Sequence, residues 1–263
     1  MNKRYTNNSN SLITDSLGLY EIYIITNKSK SEFISILSLV LCELLSTKML
    51  EVEYKHVKKR VEAFEFRRGP KFEPNKIRPI DDIFMNSFNI EKAASIRAPL
   101  FFFNAIDAAS NKRNLIRLGL KSSNLRKMVK FKFFCSLFGK IFLSKLGNET
   151  LTKINNDLKL VRDKLNQEIN KKDIDHQEIL FLLKRRAYHL QEFKIDQIFG
   201  KNYVSHLNDF NATGYDILNE LNFAYFEQTL KLAHIQYLKL AQLRSSSEEY
   251  KTEEEYDDLD YDD

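Results

Sequence analysis

Hydrophobic and polar positions follow two periods along this chain, one near 3.6 residues and one of 2, and together they predict its elements. Leu19-Tyr20-Glu21-Ile22-Tyr23-Ile24-Ile25-Thr26 is rich in β-branched and aromatic residues and stops at the turn-prone Asn27-Lys28-Ser29, which predicts a buried strand. Ser29 or Ser31 then caps a predicted helix, in which Phe33, Ile36, Leu37, Val40, Leu41, Leu44 and Leu45 recur at intervals of three and four. From Met49 the period falls to two. Leu50, Val52, Tyr54 and His56 alternate with Glu51, Glu53 and Lys55, giving a second strand that is long, or broken at the basic bend Lys58-Lys59-Arg60. Residues 67–97 hold Pro70, Pro74 and Pro79 among mixed charges and suit a loop insertion.

Pro99–Asp107, with its Phe101-Phe102-Phe103 run, predicts a third strand, and Ala108–Leu118 a helix ending at Gly119. In Leu125–Phe133 the apolar Val129, Phe131 and Phe133 alternate with lysines, as in a half-exposed fourth strand. The order β-α-β-β-α-β predicts an α+β fold, a ferredoxin-like sandwich over residues 19–135. Beyond it, residues 136–244 carry helical periodicity in Leu151–Ile169, Gln177–Phe199 and Tyr215–Leu243, an α-helical extension. Residues 1–18 are Asn-, Ser- and Thr-rich, fitting a flexible arm or a weak organelle-targeting segment. Residues 245–263 form an acidic tail too poor in apolar side chains to order itself.

Charge changes this picture more than composition does. The net charge is only +5, yet from Ser245 onward ten carboxylates face one lysine, so the rest of the chain stands near +14 with His counted neutral. A body so basic attracts polyanions by releasing their counterions, and nucleic acid is a common partner of that kind; a solvated lysine-rich surface is the plain alternative. No apolar run approaches the roughly 18 residues of a membrane span, so no membrane association is expected. Cys42 and Cys135 lie in apolar surroundings and read as small core residues in a reducing compartment.

Catalytic chemistry has no visible seat. The sequence lacks a phosphate-binding G-x-x-x-x-G-K-[ST] loop, a dinucleotide-binding glycine turn, a G-x-S-x-G elbow and paired-cysteine metal spacing. His56, His176, His189, His206 and His234 are scattered, none four residues from another, and read as structural. No enzyme activity, cofactor, metal or small-molecule substrate is therefore expected. The basic triplet Lys184-Arg185-Arg186 could grip phosphate or simply be a solvated helix face. The phenylalanine run could stack bases, but burial in a core suits it better.

Two segments bear a family likeness: Leu19–Ile25, a Tyr-Glu-apolar opening, and Asn124-Leu125-Arg126-Lys127-Met128-Val129-Lys130, an Asn-apolar-basic-basic-apolar close. With Met49–Phe66 and its Lys58-Lys59-Arg60 bend, and the aromatic Leu100–Ile106, the order resembles the small-subunit ribosomal protein S-six family of bacteria, mitochondria and plastids. The likeness covers about residues 18–133. The 67–97 insertion and the helical extension depart from the short bacterial form and resemble organellar additions. The resemblance implies a non-enzymatic protein of a mitochondrial ribosome, or alternatively a plastid or bacterial one. It further implies binding to small-subunit ribosomal RNA beside a ribosomal protein S-eighteen-like partner, with Tyr20, Lys58, Lys59, Arg60, Arg67, Arg126 and Lys127 as the contact residues. Two other readings stay open, a different RNA-binding protein on the same sheet and a helical adaptor for protein partners.

Overall fold

Leu19–Asn27 is a helix, not a strand. The computed structural model describes residues 12–57, 60–122, 125–130, 141–171, 175, 178, 179, 182 and 227–243. In order, these give α1 (Ile13–Ser16), α2 (Leu19–Asn27), a 3-10 turn, α3 (Phe33–Ser46), β1 (Leu50–Val57), β2 (Arg60–Arg68), a second 3-10 turn, α4 (Asp82–Met85) and α5 (Ser87–Ile90). Then follow β3 (Ser95–Arg97), α6 (Ala98–Ala109), α7 (Lys112–Ser122), α8 (Leu125–Met128), β4 (Val129–Lys130), β5 (Phe142–Leu143) and α9 (Lys145–Ile169). A further helix crosses 227–243. The chain is thus mixed α and β, mostly helical, with small antiparallel sheets.

Burial on all sides decides the state of α2. Leu19 through Ile25 are all buried, so the segment has no solvent face to impose alternation, and β-branched propensity yields to tertiary packing. Its first turn is satisfied from within, because the Gly18 N–H donates to Glu21 Oε2 at 2.9 Å and the Leu19 N–H to Glu43 Oε2 at 3.2 Å. The helix expected after it is present as α3, although Glu32 rather than a serine stands at its N-cap and no side chain caps it.

The predicted third strand is likewise a helix, α6. Pro99 sits in its first turn, where a missing N–H costs nothing. Phe101, Phe102, Ala105, Ile106 and Ala109 are buried at helical spacing. Two of the four expected strands are therefore helices, and the described residues do not follow a β-α-β-β-α-β order. The alternating stretch after Met49 is correct as β structure and is broken near the basic bend: β1 and β2 pair antiparallel with Val52 opposite Phe66, and β3 adds with Ile96 opposite Phe66. Phe66 stacks on Phe101 with ring centroids 4.2 Å apart, clamping α6 onto this three-stranded sheet.

Residues 67–97 contribute to the core rather than looping out. Ile80, Ile83, Phe84, Met85 and Phe88 are buried, and Phe84 and Phe88 meet Phe101. The expected fourth strand begins later than its alternation suggests: Leu125–Met128 is a helical turn, and among the described residues Val129–Lys130 pairs with Leu143–Phe142, while 131–133 lie outside the described residues. Ile154 of α9 and Leu230 of the 227–243 helix join the same buried cluster as α2 and α3. Most of the expected 177–199 helix with its Lys184-Arg185-Arg186 triplet, most of the 1–18 arm, the acidic tail and Cys135 lie outside the described residues, while 178, 179 and 182 are helical. Cys42 is buried on α3. Among the described residues no helix is long and apolar enough to cross a membrane.

Candidate nucleic-acid interface

Between Asp107 and Glu149 the chain has no carboxylate and ten lysines or arginines. This acid-free stretch supplies α7, α8, β4 and the start of α9. On α7, Arg113, Arg117 and Lys121 are exposed at four-residue steps, so they form one stripe about 12 Å long at 1.5 Å rise per residue. The opposite side, with Leu115, Ile116 and Gly119, is buried. Sequence reasoning places the end of this helix at Gly119, but α7 runs through it. A Cβ there would lie 3.2 Å from the Tyr20 ring and 3.3 Å from Ile80 Cδ1, so the glycine serves a close approach of α7 to the core.

Arg126 and Lys127 are the next cations along the acid-free stretch. Both are exposed on α8, whose Leu125 and Met128 are buried, and Lys130 is exposed next to buried Val129 on β4. Arg126, Lys127, Lys130 and Lys121 have no carboxylate partner among the described residues; Arg117 donates from Nη2 to Asn114 Oδ1 at 3.0 Å. The backbone beneath is held from α9. Ser144 Oγ donates to the Lys127 carbonyl at 2.8 Å, the Ser144 N–H donates to the Met128 carbonyl at 2.8 Å, and Ser144 Oγ accepts from the Gly147 N–H at 3.0 Å. Gly147 permits this contact, since a Cβ would stand 2.0 Å from the Met128 carbonyl oxygen. The N-terminus of the 25-residue α9 thus abuts α8, and its dipole adds positive potential to that of Lys127 and exposed Lys145. Lys112 is half-buried; burial lowers its pKa, against the pull of the Glu32 carboxylate.

The other expected contact residues fall elsewhere. Tyr20 is fully buried on α2, with the Arg78 guanidinium 5.2 Å above its ring, so it cannot reach a ligand. Its place in the sequence pattern reflects core packing, a correction to its expected role. Arg67 is exposed on β2 but is neutralised by Glu51 at 2.9 Å and Glu53 at 3.9 Å. Lys58 and Lys59 lie outside the described residues, and Arg60 opens β2. Among the described expected residues, Arg126 and Lys127 are the ones exposed within the acid-free stretch that also carries the α7 stripe. The signal that finds the remainder is the absence of acid from 108–148, visible only when charge is counted by segment.

A second basic spot lies on the sheet side. An open hollow of about 500 Å³ is lined by Arg68, Phe88, Asn89, Lys92, Ala93 and Ala94. Arg68 lies over the rings of Phe72 and Phe88 at 5.1 and 5.2 Å and donates to Asn89 Oδ1 at 2.8 Å, which fixes its guanidinium.

Buried charges form a separate cluster. Arg78 makes two 2.7 Å hydrogen bonds to Asp81 and one of 2.8 Å to Glu43. Burial opposes the Arg78 charge, but the hydrogen bond to Asp81 and the Glu43 and Asp81 carboxylates outweigh it and raise its pKa. Burial pushes the Glu43 carboxyl above its ordinary value despite Arg78. Among the described residues no group of three or more His, Cys, Asp or Glu side chains could hold a metal. No protein-family model matches the chain, and no curated protein and no solved structure matches it.

Proposed function

We propose that this chain is a non-catalytic RNA-binding protein whose contact surface is the acid-free face of α7, α8, β4 and the start of α9. The observation that carries this reading is that cations at 117, 121, 126, 127 and 130 stand exposed on consecutive elements with no acid within the stretch to neutralise them. Such a face releases counterions from a phosphate backbone, and its rigid mounting on buried Leu115, Leu125 and Met128 sets the spacing of the contacts. A lysine-rich surface that serves solubility alone is expected to interleave acids, as exposed α9 does with Glu149, Lys153, Arg162 and Asp163.

The specific form of this proposal is a structural component of a small ribosomal subunit, of mitochondrial type, beside an S-eighteen-like protein. Its support comes from the sequence resemblance, and the helical state of residues 19–27 and 98–109 removes two of the four strands on which the resemblance rests. RNA binding through the basic face stands without it. A second reading, a helical adaptor, is favoured by exposed Leu232, Ile235, Leu238 and Leu243 on the 227–243 helix.

Sedimentation of the full chain from its native cell, with and without RNase, separates these readings. Comigration with small-subunit RNA supports the ribosomal form, and RNase-sensitive migration with other RNA supports a free RNA binder. Migration with protein partners that ignores RNase overturns both.

A further inference from the structure

We infer that the acidic residues 248–263 dock on the basic face of α7 and α8 and compete there with RNA, so that the chain carries its own inhibitor of weak, non-specific binding. The inference rests on the proposed RNA-binding role of that face and adds its regulation. Charge complementarity is the first ground. Residues 248–263 hold ten carboxylates and one lysine, and residues 108–148 hold ten cations and no carboxylate. No segment outside these two carries as many charges of one sign with at most one of the other, and carboxylates strung along a chain imitate the regular charge of a phosphate backbone.

Position is the second ground. Within the 227–243 helix, Tyr237 packs its ring 5.3 Å from that of Phe103 and donates its hydroxyl to Asp107 Oδ1 at 3.0 Å. The same helix is held against α3 as well, where His234, three residues before Tyr237, meets Phe33 at 5.2 Å and, at the helix N-terminal end, Ser35 donates to Glu227 at 2.8 Å. Asp107 lies in the last turn of α6, and α7 opens three residues beyond that turn at Lys112, across Ser110-Asn111, so the helix is held within one element of the basic stripe. Laid end to end, the path from Leu243 back to Tyr237, across to Asp107 and along α7 to Lys121 comes to about 50 Å at helical and extended rises per residue. The 20 residues that follow Leu243 can reach about 70 Å when extended, and tethering at this length gives an effective concentration near the millimolar range. Ion pairs too weak to hold a free acidic peptide therefore suffice within one chain.

Competition of this kind discriminates between ligands. A weakly bound RNA must displace the tail, while a folded RNA that matches the spacing of 117, 121, 126 and 127 gains enough contacts to do so. The effect fades as salt screens it.

The test uses the full chain and a variant in which all ten Glu and Asp of 248–263 are replaced by Gln and Asn, preserving length. Lysine acetylation followed by mass spectrometry reads contact at Lys121, Lys127 and Lys130, and titration with an RNA hairpin reads competition. The expected result at about 50 mM salt is at least threefold slower acetylation of these lysines in the natural chain and about tenfold tighter RNA binding by the variant, with both differences gone at about 0.5 M. Equal acetylation in the two proteins overturns the docking, whatever the RNA result. Protected lysines with no RNA binding by either protein overturn the RNA reading and the competition, and leave the docking. Protection together with equal RNA affinity overturns competition alone.

Discussion

Two regions of this molecule are rich in charge and treat it in opposite ways. Around Arg78 the charges are buried, come from distant parts of the sequence and are closed by direct hydrogen bonds: Glu43 from α3, Asp81 before α4, and Glu21 at the α2 N-terminus nearby. Along α7 and α8 they are exposed, of one sign and contiguous in sequence. Desolvation makes an unanswered charge intolerable in the first region, so partners are supplied within the fold. Water screens the second, so the chain can leave its cations open for an external partner. Charge at the first site holds elements together; charge at the second is available for binding.

The comparison breaks first at Arg78. Arg78→Ala strands the buried Glu43 and Asp81 carboxylates and is expected to cost about 3–5 kcal/mol of unfolding free energy in urea titration. A loss under 1 kcal/mol would show that the cluster is solvated and that the contrast between the regions is false. Next in size is Gly147→Ala. Alanine suits a helix better than glycine, but its Cβ meets the Met128 carbonyl at 2.0 Å, so α9 and α8 must part. The expected cost is about 1–3 kcal/mol, with weaker RNA binding because Lys127 loses its mount on Ser144. Unchanged stability and affinity would mean that α8 is not positioned by this contact.

How much of this was legible in the sequence differs between the regions for a physical reason. Periodicity located α3, β1 with β2, and most of α9, because each of these keeps the spacing that its state demands. It misread α2 and α6. α2 is buried from Leu19 to Ile25, and where no face meets water a run such as Ile22-Tyr23-Ile24-Ile25 carries no period that separates strand from helix; α6 does have a wet face, at Pro99, Leu100, Asp107 and Ala108, but its Phe101-Phe102-Phe103 run masks the helical spacing of its buried residues. Pro99 in a first turn, with Phe101, Ala105 and Ile106 behind it, was the overlooked helical signal. Arg126 and Lys127 were legible as exposed cations, whereas the Arg78 cluster was not, since three-dimensional proximity alone joins residues 43 and 78.

A smaller effect sharpens the contrast through pH. Burial raises the folded-state pKa of Glu43 above its ordinary 4.5, so between pH 4.5 and the raised value the folded chain binds more protons than the unfolded one. The neutral carboxyl therefore favours folding fully below pH 4.5, and that contribution is lost as pH rises through the folded pKa. Glu43→Gln removes this dependence. The stability of the natural chain relative to the variant should fall with rising pH in that window, by at most about 1.4 kcal/mol per unit. A difference that rises with pH would show that Arg78, not burial, governs this carboxyl.

The smallest effect on stability belongs to the basic face. Arg126 and Lys127 are exposed, lack carboxylate partners among the described residues and sit above buried Leu125 and Met128, which hold α8 without them. Replacing both by Ala should change unfolding free energy by no more than about 0.5 kcal/mol. The same substitution should lower the slope of log affinity against log salt by about 0.7 to 0.9 for each phosphate contact removed. Near-neutral stability with a reduced slope is the signature of charge kept for an outside ligand. A loss of stability above about 1 kcal/mol with an unchanged slope would place these residues with Arg78 among the charges that serve the fold. In that case the distinction between an internally closed and an externally open cluster would fail at the two residues on which the RNA-binding proposal most depends.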